Sequence, residues 1–153
     1  MKTILKFVAA AFLMSVAVFY QPSAAVAAEP VYTGFFSNVA VSGYDTVAYF
    51  QEKGPVKGSK RFQTEWNGAT WRFSSQENLD LFTANPETFA PQFGGYCAWA
   101  ISQGYTASGD PKQWSIHNDK LYLNYDADVK AEWLTDKDGF IAKGEANWPS
   151  VLE

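Results

Sequence analysis

The amino-acid sequence predicts an α+β fold, a small antiparallel sheet built from two β-hairpins and packed by several short helices. Two observations carry this. Alternating apolar and polar runs occur twice, each interrupted by turn residues, and each is followed by apolar residues at helical spacing behind a capping side chain. A third observation bounds the size: 47% of the 153 residues are hydrophobic and 18% charged, and the 125 residues beyond position 28 suit one domain with its own core.

The chain opens with Lys2 and Lys6, an uncharged run from Phe7 to Phe19, and the small residues Ala25-Val26-Ala27-Ala28. This is the pattern of a secretory signal peptide over residues 1–28, with cleavage expected after Ala27 or Ala28 and a single domain over 29–153. The apolar run is too short for a comfortable bilayer span, so no stable membrane insertion is expected after cleavage. The implied location is periplasmic or secreted.

An irregular lead-in from Glu29 to Asn38 gives way at Gly43-Tyr44-Asp45 to a short helical turn holding Val47, Tyr49 and Phe50, which Gly54-Pro55 must end. Arg61 to Trp66 and Ala69 to Phe73 alternate around Asn67-Gly68, the dipeptide of a type I′ turn, and predict a hairpin. Ser74 or Ser75 then caps a helix carrying Leu79, Leu81 and Phe82, which stops at Asn85 before a short turn at Pro86 to Phe89. Gly94-Gly95 precedes a buried helix over Tyr96 to Ile101 with Cys97 in its first turn. Trp114 to Ile116 and Leu121 to Asn124 form a second hairpin around His117-Asn118-Asp119-Lys120. Asp126 or Asp128 caps a helix with Val129 and Trp133, and a last helix runs from about Asp136 to Trp148, stopped by Pro149. No internal repeat of useful length is visible.

Charge narrows the partners. Lys2 and Lys6 are two of the 12 basic residues, and all 16 acids lie at Glu29 or beyond, so the chain from Glu29 carries a net charge of −6. Its basic residues are scattered, with one small group at Lys57, Lys60 and Arg61, and a nucleic-acid partner is not expected. A cationic ligand, or a metal ion, is the better electrostatic match.

The sole cysteine, Cys97, cannot form an internal disulfide, and His117 is the sole histidine. A thiolate and an imidazole suit copper, completed by carboxylates such as Asp45, Asp110 or Asp119; zinc, which wants four ligands, is less favoured. Such a site requires Cys97 and His117 within one coordination sphere. The bland readings are a buried Cys acting as a small hydrophobe and a solvent-exposed turn histidine. A third chemistry is nucleophilic, with a thiol activated at a helix N-terminus and His117 as base, although no local signature supports it. The aromatic residues recur at core spacing, with Trp66 and Trp99 as candidates for a binding surface.

Gly43-Tyr44-Asp45-Thr46-Val47-Ala48-Tyr49-Phe50, Trp71-Arg72-Phe73-Ser74-Ser75-Gln76-Glu77-Asn78, Gly94-Gly95-Tyr96-Cys97-Ala98, Asp110-Pro111, Lys120 to Tyr125 and Asn147-Trp148-Pro149 together resemble the exported YHS-domain proteins of bacteria. The likeness spans nearly the whole chain beyond the leader. It implies a metal-binding module, copper first, with cysteine ligands in a Tyr-His-Phe-Cys-Ser-x-x-Cys segment. Here Phe73 and Ser75 fit that segment, whereas Trp71, Arg72, Ser74 and Asn78 depart from it, and the last two stand at the thiol positions. Two expectations follow: a periplasmic copper-handling protein with its site moved to Cys97, His117 and Asp45, or a metal-free ligand- or protein-binding module in which Cys97 is structural. A thiol enzyme ranks third.

Overall fold

A computed structural model describes residues 27–51 and 53–153, so the leader read at 1–28 lies outside the described residues save for its last two positions. From Ala40 the chain passes through two stretches of similar make-up. The first runs from a tight 3-10 turn at Ala40–Gly43 through α1 (Ala48–Gln51), the strands β1 (Ser59–Trp66) and β2 (Ala69–Phe73), α2 (Gln76–Ala84) and α3 (Pro86–Phe89). The second runs from a 3-10 turn at Gln92–Gly95 through α4 (Ala98–Ser102), β3 (Asp110–His117), β4 (Lys120–Asn124), α5 (Ala127–Thr135) and α6 (Lys137–Asn147).

The α+β class read from the sequence holds, with one difference: each hairpin is its own two-stranded sheet. The reason lies at the inner strands. Thr70 of β2 bridges Val39 in parallel, and Leu123 of β4 bridges Cys97 in parallel, so each free edge is met by a local segment instead of by the other hairpin. Both hairpins close through left-handed residues, Asn67 and Gly68 (φ 48° and 80°) in the first and Asn118 and Asp119 (φ 49° and 57°) in the second. Each also has a register irregularity at its open end, between Ser59 and Gln63 and between Asp110 and Trp114.

The helix starts follow capping chemistry. Ser75, Asp126 and Asp136 accept the backbone N–H of Asn78, Val129 and Gly139, which satisfies donors that no helical carbonyl can reach. Sequence spacing sets Leu79, Leu81 and Phe82 on the apolar side of α2, and Val129 and Trp133, with the neighbouring Ala131 and Leu134, on that of α5. The structure buries Phe82 and Trp133 completely and leaves Leu81 and Leu134 exposed.

Two aromatic clusters form the core. Trp71, Phe73 and Phe82 stack at centroid distances of 4.9 to 5.0 Å, and Val47, Tyr49 and, from the second hairpin, Leu121 and Leu123 complete the first cluster. Tyr122 and Trp133 meet at 5.3 Å in the second, joined by Phe93, Tyr96 and Ile101. No helix among the described residues is long and apolar enough to cross a membrane.

Candidate functional site

Asp45 is wholly buried and saturated with hydrogen bonds. Its Oδ1 accepts the backbone N–H of Val47 (2.9 Å) and Ala48 (3.2 Å), the latter opening α1. Its Oδ2 accepts the backbone N–H of Ser74 (2.8 Å), the Ser74 hydroxyl (2.6 Å) and the Asn78 side-chain amide (2.8 Å). Five donors converge on one carboxylate, which is what a buried charge without a counter-ion requires. Sequence reading singled out Asp45 but did not join it to Ser74 and Asn78, which lie 29 and 33 positions away.

Cys97 is also fully buried, at the residue that opens α4. Its Sγ lies 3.7 Å from Asn124 Oδ1, and that oxygen also accepts the Trp99 backbone N–H at 3.3 Å. Burial pushes the thiol above its ordinary pKa, against the opposing pull of the backbone N–H groups of Ala100, Tyr125 and Trp99. The expected activation by a helix N-terminus is therefore outweighed: α4 has only five residues, and desolvation disfavours the thiolate more than its end favours it.

His117 ends β3, with Nε2 2.7 Å from Oδ1 of Asp138 in the first turn of α6 and 17% of its side chain exposed. It is thus held in an ion pair or hydrogen bond and does not project freely from the turn. His117 pairs with Lys120 at the closed end of the second hairpin, whereas Cys97 bridges Leu123 three residues along β4. At roughly 3.3 Å per residue the two are separated by about 10 Å along the strand. Asp45 sits with Ser74 and Asn78 in the other half, so the structure does not bring Asp45, Cys97 and His117 together. Among the described residues no group of three or more His, Cys, Asp and Glu side chains is placed to hold a metal ion.

Two of the concave surfaces among the described residues are lined by the tryptophans and the cysteine singled out from the sequence. A cleft of about 840 Å³ is lined by the tips of both hairpins, Trp66 and Asn67 from one and Asn118, Asp119 and Lys120 from the other, with Trp148, Glu87 and the connection from Asn85 to Gly94. A smaller pocket of about 210 Å³ lies over Cys97, walled by Trp99, Tyr105, Tyr125 and Val129. Trp66 and Trp99, the two tryptophans singled out from the sequence, are each half-buried, and each lines one of these surfaces.

A family model described as YHS domain matches residues 47–93, and over that stretch the resemblance read from the sequence holds. No curated protein and no solved structure matches the chain. The metal that such a domain implies does not fit Ser74 and Asn78, the residues that the sequence resemblance sets at its thiol positions. Ser74 and Asn78 both turn donors, not lone pairs, toward Asp45, and the three hydrogen bonds on Oδ2 would have to be given up for that oxygen to ligate.

Proposed function

We propose that the chain is an exported YHS-type binding module that takes a small organic ligand or a short peptide segment in the cleft between the hairpin tips, with Cys97 structural and no metal at the Ser74 and Asn78 positions. One observation carries this reading: Asp45 closes the thiol positions with hydrogen bonds, while Trp66 and Trp148 wall an open cleft beside amides and charged groups. Aromatic walls with a few fixed polar groups are the usual make-up of a small-ligand site. Glu87 and Asp119 against Lys120, on a chain of net charge −6 beyond its leader, favour a neutral or cationic ligand over an anion. Export rests on the leader pattern in the sequence alone.

Copper handling is the second reading, favoured by the YHS match. One experiment separates the two. Residues 29–153 are titrated with neutral oligosaccharides, with proline-containing and cationic peptides, and with Cu(I) and Zn(II), and tryptophan emission and metal stoichiometry are followed. The cleft reading expects saturable binding of an organic probe that Trp66→Ala loses and Cys97→Ser keeps. Stoichiometric copper binding lost in Cys97→Ser would instead establish metal handling.

A further inference from the structure

The two halves agree in details that secondary structure alone does not require. The turns at their starts each use three consecutive left-handed residues, Val41, Ser42 and Gly43 (φ 50°, 50°, 77°) and Phe93, Gly94 and Gly95 (φ 54°, 61°, 83°). Tyr44 then bridges Lys57, and Tyr96 bridges Ser108. The next N–H in each half makes the same contact, Asp45 to Val56 O and Cys97 to Ala107 O, both 2.9 Å. The first strands have eight residues each, the second strands five, and the helices behind them nine. Those helices are capped by Ser75 and Asp126 and end at Asn85 (φ −154°, ψ 73°) and Asp136 (φ −152°, ψ 65°). Every counterpart lies 51 or 52 positions further along the chain.

The correspondence extends to the buried position at the start of the first helix in each half. Asp45 receives the N–H groups of Val47, Ala48 and Ser74; the matching backbone N–H groups of Trp99, Ala100 and Tyr125 lie around the Cys97 sulfur and pull its pKa down against burial, while the Trp99 N–H itself donates to Asn124 Oδ1. Ser74 and Asn78, which fill the space over Asp45, correspond to Tyr125 and Val129. Tyr125 is 54% exposed and Val129 offers no donor, so the space over Cys97 stays open as the 210 Å³ pocket.

We infer that residues 40–89 and 92–140 are two copies of one folding unit, and that the pocket walled by Cys97, Tyr125 and Val129 is the second copy's open counterpart of the closed Asp45, Ser74 and Asn78 cluster. Cys97 then fills, at the start of α4, the buried position that Asp45 fills at the start of α1. The three positions face one point, as Asp45, Ser74 and Asn78 do within 2.6 to 3.4 Å of one another. Thiols at all three make a soft-metal site.

The test is Tyr125→Cys with Val129→Cys in the full chain, kept reduced and titrated with Co(II) and Zn(II). The inference expects one metal per chain with thiolate-to-cobalt charge-transfer absorption, reduced at least tenfold in affinity when Cys97→Ser is added. A folded double variant that takes up no metal, or that binds equally well without Cys97, overturns it. If the double variant does not fold, the cluster is transplanted instead. Cys97→Asp with Tyr125→Ser and Val129→Asn must melt higher than Cys97→Asp alone, because the new donors reach the new carboxylate; equal or lower melting overturns the correspondence.

Discussion

Asp45 and Cys97 are both fully buried at the start of a helix but with side chains of different chemistry, and that difference decides how each tolerates change. Removing the Asp45 carboxylate takes the acceptor from the Ser74 hydroxyl and three backbone N–H groups around a fully buried position, and leaves the Asn78 amide only its 3.4 Å bond to Ser74 Oγ. Orphaned donors of this kind cost far more than the net worth of the bonds lost. Asp45→Ala should therefore lower the unfolding free energy by roughly 3–5 kcal/mol, read by urea denaturation, whereas Ser74→Ala, which removes one of five donors, should cost about 1 kcal/mol. Equal losses would show that Asp45 is not the centre of the cluster. Cys97 acts through burial. Its folded pKa is raised, so the thiol contributes stability fully below its ordinary value, and that contribution is lost as pH rises through the raised one. Native Cys97 should react slowly with iodoacetamide at pH 7, and the melting advantage of the wild type over Cys97→Ser should shrink as pH rises above the ordinary thiol value. Rapid alkylation at neutral pH would contradict the buried thiol.

The hairpins differ at one turn position, and that position yields a paired prediction at the level of the element. Gly68 (φ 80°) and Asp119 (φ 57°) hold the second place of the same kind of turn. A left-handed conformation is easy for glycine and strained for a residue with a Cβ. Asp119→Gly should stabilise the protein by about 0.5 kcal/mol, and Gly68→Ala, with open space around the new Cβ, should cost about 1 kcal/mol through the backbone alone. Thermal melts of the two variants should thus move in opposite directions. These hairpins were legible in the sequence because turn residues, alternation and caps are local signals, as Asn67-Gly68, Ser75 and Asp126 illustrate. The Asp45 cluster was not, because its partners arrive from a strand end and a helix 29 and 33 positions away, and nothing in residue spacing reports that approach. The separation of the two sheets was equally hidden, since it depends on single bridges from Val39 and Cys97 to the inner strands. The correspondence of the halves escaped detection for a chemical reason. Trp71 and Phe82 are matched by Tyr122 and Trp133, and Ser75 by Asp126, so size and capping ability are kept while identity is not.

At the scale of the whole molecule, similarity of the halves does not make them independent. Leu121 and Leu123 of β4 are fully buried in the cluster built on Trp71, Phe73 and Phe82, so the first half's core is finished by the second half's hairpin. The other cluster draws Ala28 and Tyr32 from the lead-in onto Phe93, Tyr96 and Trp133, and the Ala28 N–H donates to Leu152 O at 2.7 Å, tying the start of the described chain to its end. A fragment of about 60 residues is marginally stable even with an intact core, and here each fragment would also lose part of one. Residues 29–90 and 91–153 expressed separately should each lack dispersed amide resonances, while the joined chain unfolds in one urea transition followed equally by tryptophan emission and by far-ultraviolet dichroism. Leu123→Ala should destabilise that single transition by about 2–5 kcal/mol without splitting it, because the residue belongs to the second half by sequence and to the first half's core by packing. Two separated transitions, or a folded 29–90 fragment, would mean that the units are stable alone and that their shared core is a late contact between finished domains.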